Sequence, residues 1–340
     1  MSQLDGFMPF QRHPLLPGGH LQTVVGYYLP GPKEIKPDRV HQVPVSEGDR
    51  VAVCENASNW ESAPKGAALF MHGLGGHEES PYMMRMAKLF SERGWLTFRM
   101  NHRGCGAGAG LARNLYHSGR SDDVSAVLNY LAELHPRLPL VAVGFSLSGN
   151  ALLKLLGEQM HPYPDELSGA MAVTPPIDLS LCSVALCKIR NRIYDHRFVR
   201  LLKEAIKERQ AHFPDFPVYR FPWNTTVRMF DEFYTAPLNH FESAEDYYTR
   251  CSAKQFLQNI TVPTILLASD DDPFVPVKSF KGLPVNSHLQ VHLTRSGGHM
   301  GFVSAHKTPL GDHRWLDYAV WFCSEKLLEA RSSVTASNPP

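Results

Sequence analysis

The chain has 340 residues, 43% of them hydrophobic and 20% charged, a composition that can bury roughly three quarters of its unfolded surface and excludes a disordered or collagen-like chain. Lysine and arginine number 34 and aspartate and glutamate 33, so no global field is available to hold nucleic acid or an anionic membrane, and any such contact has to be local. The six cysteines form no Cys-x-x-Cys pair and no zinc-ligand spacing, and they read as plain thiols.

The start, MSQLDGFMPFQRHP, has acid and proline where a secretion signal needs a basic start and an apolar run, so a cytoplasmic protein is expected. Nowhere do ~18 apolar residues follow one another, as a bilayer-spanning helix requires. Residues 1–38, punctuated by Pro14, Pro17, Gly18, Gly19, Pro30, Gly31 and Pro32, read as an irregular arm. Short β-like runs follow at 40–45 and 51–54, and the apolar run 67–71 reads as a strand buried on both faces, entering His72-Gly73-Leu74-Gly75-Gly76. Met83, Met86, Ala87 and Phe90 stand at helical spacing in 82–93 before the stop at Gly94, and 95–100 is the next strand. The glycines of 104–110 match only the looser G-x-G-x-x-A form, open no helix and lack a P-loop lysine; a flexible loop beside the pocket is expected there, not a nucleotide site.

The same rhythm continues with a helix at 122–134, a strand at 140–143, a helix at 149–159, strands at 170–173, 264–268 and 289–294, and a helix at 315–330. Strands alternating with helices predict an α/β fold, a mainly parallel central sheet with helices on both faces. The stretch 175–262 is too long for an ordinary crossover and reads as an insertion. Its first part, 181–213, is helix-like and basic, with Arg190, Arg192, Arg197, Arg200, Lys203 and Lys207 among Ile193, Val199 and Ile206. That pattern fits a solvated helical face, or alternatively a lid in transient contact with a lipid surface. The chain thus divides into the arm 1–38, a first core part 39–174, a helical lid or cap 175–262, a second core part 263–330 and a flexible tail 331–340.

The sharpest local signal is Val143-Gly144-Phe145-Ser146-Leu147-Ser148-Gly149, a buried strand turning into a helix around a serine. Such a nucleophile elbow needs small residues two before and two after the serine; Gly144 meets this, and Ser148 replaces the usual glycine. A hydroxyl becomes a nucleophile only when a base takes its proton and an acid orients that base. Among seventeen histidines, His299 follows Gly297-Gly298 in the loop after the strand 289–294, with His72, His102 and His117 as competitors near other strand ends. The acid is sought in Asp270-Asp271-Asp272-Pro273, after the strand 264–268. Asp272, with Pro276 four residues on, is the choice; Asp270, Asp271 and the outlying Asp178 stay open. The order Ser146, Asp272, His299 is that of α/β-hydrolases. For the oxyanion, the Leu147 N–H and the Leu74 N–H in the early glycine loop are the expected donors.

These motifs resemble the α/β-hydrolase superfamily and, within it, the YheT-type hydrolases of bacteria, related to eukaryotic abhydrolase-domain lipases and esterases. The likeness runs through Gly19-His20-Leu21-Gln22-Thr23, His72-Gly73-Leu74 with Ser80-Pro81-Tyr82, Arg103-Gly104-Cys105, Tyr116-His117-Ser118-Gly119 and the elbow. It goes on through Asp246-Tyr247-Tyr248 with Cys251-Ser252, Asp271-Asp272-Pro273-Phe274 and Gly297-Gly298-His299-Met300-Gly301-Phe302. The resemblance implies Ser146 as nucleophile, Asp272 as acid and His299 as base, in an enzyme for short- to medium-chain acyl esters, monoacylglycerols among them.

The expected function is therefore a serine carboxylester hydrolase acting on a small-molecule ester through an acyl-enzyme, with no metal or organic cofactor and no nucleic-acid partner. Two alternatives stand beside it: an acyltransferase that passes the acyl group to an alcohol, and a non-catalytic ligand-binding protein on the same scaffold.

Overall fold

Strand-length apolar runs between turns build the centre of the molecule. A computed structural model describes residues 6–57 and 63–337, with side chains described as far as residue 330. Its strands are β1 (Arg39–Pro44), β2 (Arg50–Asn56), β3 (Gly66–Met71), β4 (Trp95–Met100), β5 (Leu140–Phe145), β6 (Leu167–Val173), β7 (Thr264–Ser269) and β8 (Leu289–Thr294). They form one eight-stranded sheet in the order β1-β2-β4-β3-β5-β6-β7-β8. β2 pairs antiparallel with β1 and β4, and every other pairing is parallel.

The helices are α1 (Gly19–Tyr28), α2 (Pro81–Ser91), α3 (Ser121–Leu134), α4 (Leu147–Glu158), α5 (Leu179–Leu186), α6 (Arg192–His212), α7 (Val227–Phe230), α8 (Ala236–Leu238), α9 (Ala244–Cys251) and α10 (Trp315–Ser337). The strand period of two sorts the core: Leu69, Met71 and Ala142 face the layer of α3 and α4, while Ala68, Phe70, Val141 and Val143 face that of α2 and α10. Because both faces are covered, every residue of β3, β4, β5, β6 and β7 is buried, which explains the apolar runs of β3 and β5; the polar Thr97 and Arg99 of β4 are buried on hydrogen bonds to Asn56.

Three local features differ from the sequence reading. Residues 1–38 contain α1, because the prolines of this stretch bracket GHLQTVVGYY and do not enter it. The basic stretch 181–213 holds two helices, α5 and α6, separated where Lys188 takes an extended conformation (φ −66, ψ 144). Finally, α10 runs on to Ser337, past the point where a tail was expected; residues 338–340 lie outside the described residues.

Parallel strands place their carboxyl ends on one side of the sheet, so the loops that follow β3, β5, β7 and β8 gather there. Between β6 and β7 the chain passes through α5 to α9. Among the described residues no helix is long and apolar enough to cross a membrane.

Candidate active site

The turn from β5 to α4 puts Ser146 at φ 52, ψ −117, a conformation that non-glycine residues rarely adopt. The neighbours explain how the chain tolerates it. A Cβ on Gly144 would lie 2.5 Å from the Ser148 carbonyl oxygen, so only glycine fits there. Ser148 is accommodated because its hydroxyl turns into the core, donating to the His72 carbonyl and lying 2.6 Å from His102 Nε2. The close approach expected at position 148 falls one residue later, where a Cβ on Gly149 would sit 3.0 Å from the Gly144 carbonyl and from Pro175 Cβ.

The loops after β7 and β8 bring two further groups to this serine. His299 Nε2 stands 2.9 Å from Ser146 Oγ, and His299 Nδ1 stands 2.7 Å from Asp272 Oδ2. The other carboxylate oxygen of Asp272 accepts the Phe274 and Val275 N–H groups at 3.0 and 2.9 Å, which fixes its angle toward the imidazole. The Phe274 ring packs on His299 with centroids 4.1 Å apart. Asp272 and His299 are each 8% exposed, whereas Ser146 keeps accessible surface. Buried neighbours with the hydroxyl at the open end form an arrangement able to abstract its proton.

Sequence reasoning missed the role of α1, whose signal was the Gly19-His20-Leu21-Gln22-Thr23 string. A Cβ on Gly19 would lie 1.8 Å from the Asp271 carbonyl oxygen and one on Gly26 2.5 Å from Gly301 Cα, so the helix rests directly on the loops that carry Asp272 and His299. Fully buried Gln22 donates to the Val303 carbonyl (3.2 Å) and accepts the Val303 N–H (2.7 Å). Thr23 Oγ1 accepts the His299 N–H at 2.8 Å and donates to the Gly19 carbonyl at 2.7 Å. Thr23→Val should therefore lower kcat about tenfold with KM little changed, the loss of roughly one hydrogen bond to the His299 loop, and Thr23→Ser should restore it. Steady-state kinetics of the two variants checks this; equal losses in both would assign Thr23 to packing alone.

The expected oxyanion donors are both open. Gly73 N–H donates to Tyr82 Oη (2.9 Å) and Gly75 N–H to Tyr116 Oη (3.1 Å), and the Leu74 N–H between them has no partner among the described residues. Leu147, at the first position of α4, likewise has no acceptor for its N–H. Burial pushes the pKa values of the Tyr82 and Tyr116 phenols upward, so both keep their protons.

Ser146 stands between two cavities. The outer one, about 220 Å³, is lined by Leu74, His299, Arg197 and Leu201, and its rim carries the exposed Val24, Tyr27 and Tyr28. The inner one, about 110 Å³, is lined by Leu74, Leu147, Phe198, Leu202, Val227 and Phe274. Ser146 and Leu74 border both cavities, His299 only the outer and Leu147 only the inner.

The competing residues have other partners. His72 and His102 lie edge to face at 4.7 Å in the core; burial pushes His102 down to about 4, and burial with the neighbouring His102 holds His72 well below the usual imidazole range. His117 packs against Phe241 and Tyr247, with burial pushing it down to about 3. Asp271 accepts the Gly298 N–H at 2.9 Å, Asp178 caps α5 through the Leu181 N–H, and Asp270 is exposed. The glycine loop 104–110 lines neither cavity beside Ser146, contrary to the expected flanking role. It packs on Glu78, whose carboxylate leaves no room for a Cβ on Gly106, and beside it Arg103 is buried among Asp49, Asp123 and Glu47. No group of three potential metal ligands occurs among the described residues.

Residues 62–300 match the family described as serine aminopeptidase, S33. Escherichia coli YheT, which carries an esterase designation, is 30% identical over 319 residues, 92% of this chain and 92% of that one. The monoacylglycerol lipase of Saccharomyces cerevisiae is 28% identical over 247 residues, 69% of this chain and 54% of that one. Among solved structures, the Pyrococcus furiosus esterase Pf2001 superposes with a TM-score of 0.53 at 14% identity, over 84% of this chain and 92% of that one, a likeness of fold.

Proposed function

We propose, for a chain that belongs to the serine aminopeptidase, S33 family of α/β-hydrolases and is a hydrolase of esterase or lipase type, a specific activity: serine carboxylester hydrolysis of short- to medium-chain acyl esters, monoacylglycerols included. The observation that carries this reading is the hydrogen-bonded series Ser146, His299, Asp272 ending on a strained, accessible serine.

In this mechanism His299 Nε2 takes the Ser146 proton as Oγ attacks the ester carbonyl, while Asp272 holds the Nδ1–H tautomer and stabilises the imidazolium. The Leu74 and Leu147 amides receive the negative charge that develops on the carbonyl oxygen. His299 then protonates the leaving alcohol, which has to lie on its side of the serine, in the outer cavity; the acyl group occupies the inner one. Water entering by the outer cavity releases the acyl group with His299 as base. An alcohol that fits the outer cavity can take the place of that water, so acyl transfer is the side reaction this geometry favours. Ethyl ester formation in added ethanol measures it.

In this reading the segment 175–262 is the cap that sets acyl length, since Phe198, Leu202 and Val227 wall the inner cavity. Its 110 Å³ holds roughly seven to ten water-sized atoms. An ester panel from acetyl to palmitoyl should show kcat/KM rising to butyryl through octanoyl and falling about tenfold or more by palmitoyl, with all turnover dependent on Ser146. A maximum at palmitoyl would refute the assignment of the inner cavity to the acyl group. A fluorophosphonate that labels wild type and not Ser146→Ala tests the nucleophile independently of substrate.

A further inference from the structure

Among the polar side chains that line the inner cavity, one is a carboxyl, a group that an alkyl-binding pocket has no use for. Leu179, Leu186, Leu202 and Val227 make its walls largely apolar, yet the half-buried Asp231 is among its lining residues. Tyr248 Oη and Thr235 Oγ1 each donate to one of the two carboxylate oxygens, both at 2.7 Å. Neither donor carries charge. The neighbouring Arg228 guanidinium is engaged by Glu245 at 2.8 Å and Ser183 at 2.9 Å, and Asp231 has no ion-pair partner among the described residues. Burial pushes its carboxyl up to about 6, so at pH 8 it is ionised in an apolar setting, a costly state unless something fills its remaining lone pairs.

Its backbone setting is unusual as well. Asp231 opens the π-helical turn Asp231–Thr235 between α7 and α8, a wide turn frequently found at functional sites. Glu232 accepts the Ala244 N–H at 2.8 Å and ties this turn to α9, which carries Tyr248. The carboxyl is thus held on the cap side of the cavity, and Ser146 and Leu147 form the sheet side.

We propose that Asp231 makes the inner cavity a subsite for acyl groups that end in a hydrogen-bond donor, a hydroxyl or an ammonium, in preference to plain alkyl chains of the same length. This rests on the reading of Ser146 as nucleophile and of the inner cavity as the acyl side. A donor at the chain end fills an open lone pair of the carboxylate; a methyl end displaces water from it and leaves it unpaired.

The experiment compares hexanoyl, ω-hydroxyhexanoyl and ω-aminohexanoyl esters of one alcohol at pH 8 in wild type, Asp231→Asn and Asp231→Leu, using ratios of kcat/KM within each enzyme so that a general loss of activity cancels. Wild type should favour at least one donor-ended ester over hexanoyl by about tenfold, and Asp231→Leu should erase that ratio or reverse it. Asp231→Asn separates the two ligand chemistries: a hydroxyl preference survives the amide, and an ammonium preference does not. If Asp231→Leu fails to fold, the wild-type and Asp231→Asn ratios still decide. A wild-type preference for hexanoyl that both variants share overturns the proposal while Ser146-dependent turnover of hexanoyl ester leaves the esterase reading standing. No Ser146-dependent turnover of any ester overturns that reading, and the Asp231 proposal with it.

Discussion

Replacing Ser146 by alanine is expected to lower kcat by about five to six powers of ten on whichever ester the wild type turns over best, with KM little changed. The size follows from what is removed. Without Oγ no acyl-enzyme forms, and only the oxyanion amides and the bound geometry remain, worth about a thousandfold over water. The fold should be indifferent to the change. Alanine retains the Cβ, so the positive φ of 52 is neither relieved nor worsened, and the Ser146 N–H still donates to the Val173 carbonyl at 2.8 Å. Matched thermal unfolding curves check that point. Turnover within about tenfold of wild type in the folded variant would remove Ser146 from the mechanism.

Asp272→Asn should lower kcat by about four powers of ten, and the structure gives the reason in atoms. One carboxylate oxygen accepts two turn amides, from Phe274 and Val275, and the amide carbonyl of asparagine takes over that place. Its NH₂ group is then turned toward His299 Nδ1, where Asp272 Oδ2 stands at 2.7 Å. A donor there forces the imidazole proton onto Nε2, the nitrogen that has to accept the proton of Ser146. The loss is one of tautomer, with little change in structure. Asp271→Asn is the matched control: Asp271 supports the base loop through the Gly298 N–H, so its variant should lose about tenfold or less. A deeper loss in Asp271→Asn than in Asp272→Asn would move the acid by one residue.

Much of this arrangement is legible in the amino-acid sequence. The run 67–71 announces a strand covered on both faces because helices on each side favour an apolar residue at every position, whereas 95–100 reads only as a strand, its Thr97 and Arg99 being buried on partners the local pattern does not show. The elbow was legible because Gly144 and Gly149 serve a local backbone need, within a few residues of Ser146. Asp272 and His299 were legible as candidates because both follow strands, and parallel strands send such loops to one edge. What stayed hidden depends on groups far apart in the chain. Thr23 meets His299 across 276 residues, and Ser148 finds the His72 carbonyl across 76. No periodicity or turn signal connects such pairs.

The amino-acid sequence by itself determined the alternation of core strands and helices, the parallel sheet, and the placing of Ser146, Asp272 and His299 after strands in that order, because each of these follows from the pattern of a few neighbouring side chains. Only the tertiary structure decided that α1 clamps the loops carrying Asp272 and His299, that the glycine loop 104–110 packs on Glu78 away from the site, and that Asp231 lines the cavity beside the serine. Those outcomes are set by close packing between segments remote in sequence, where complementarity of shape and hydrogen bonding selects one arrangement that no local pattern encodes.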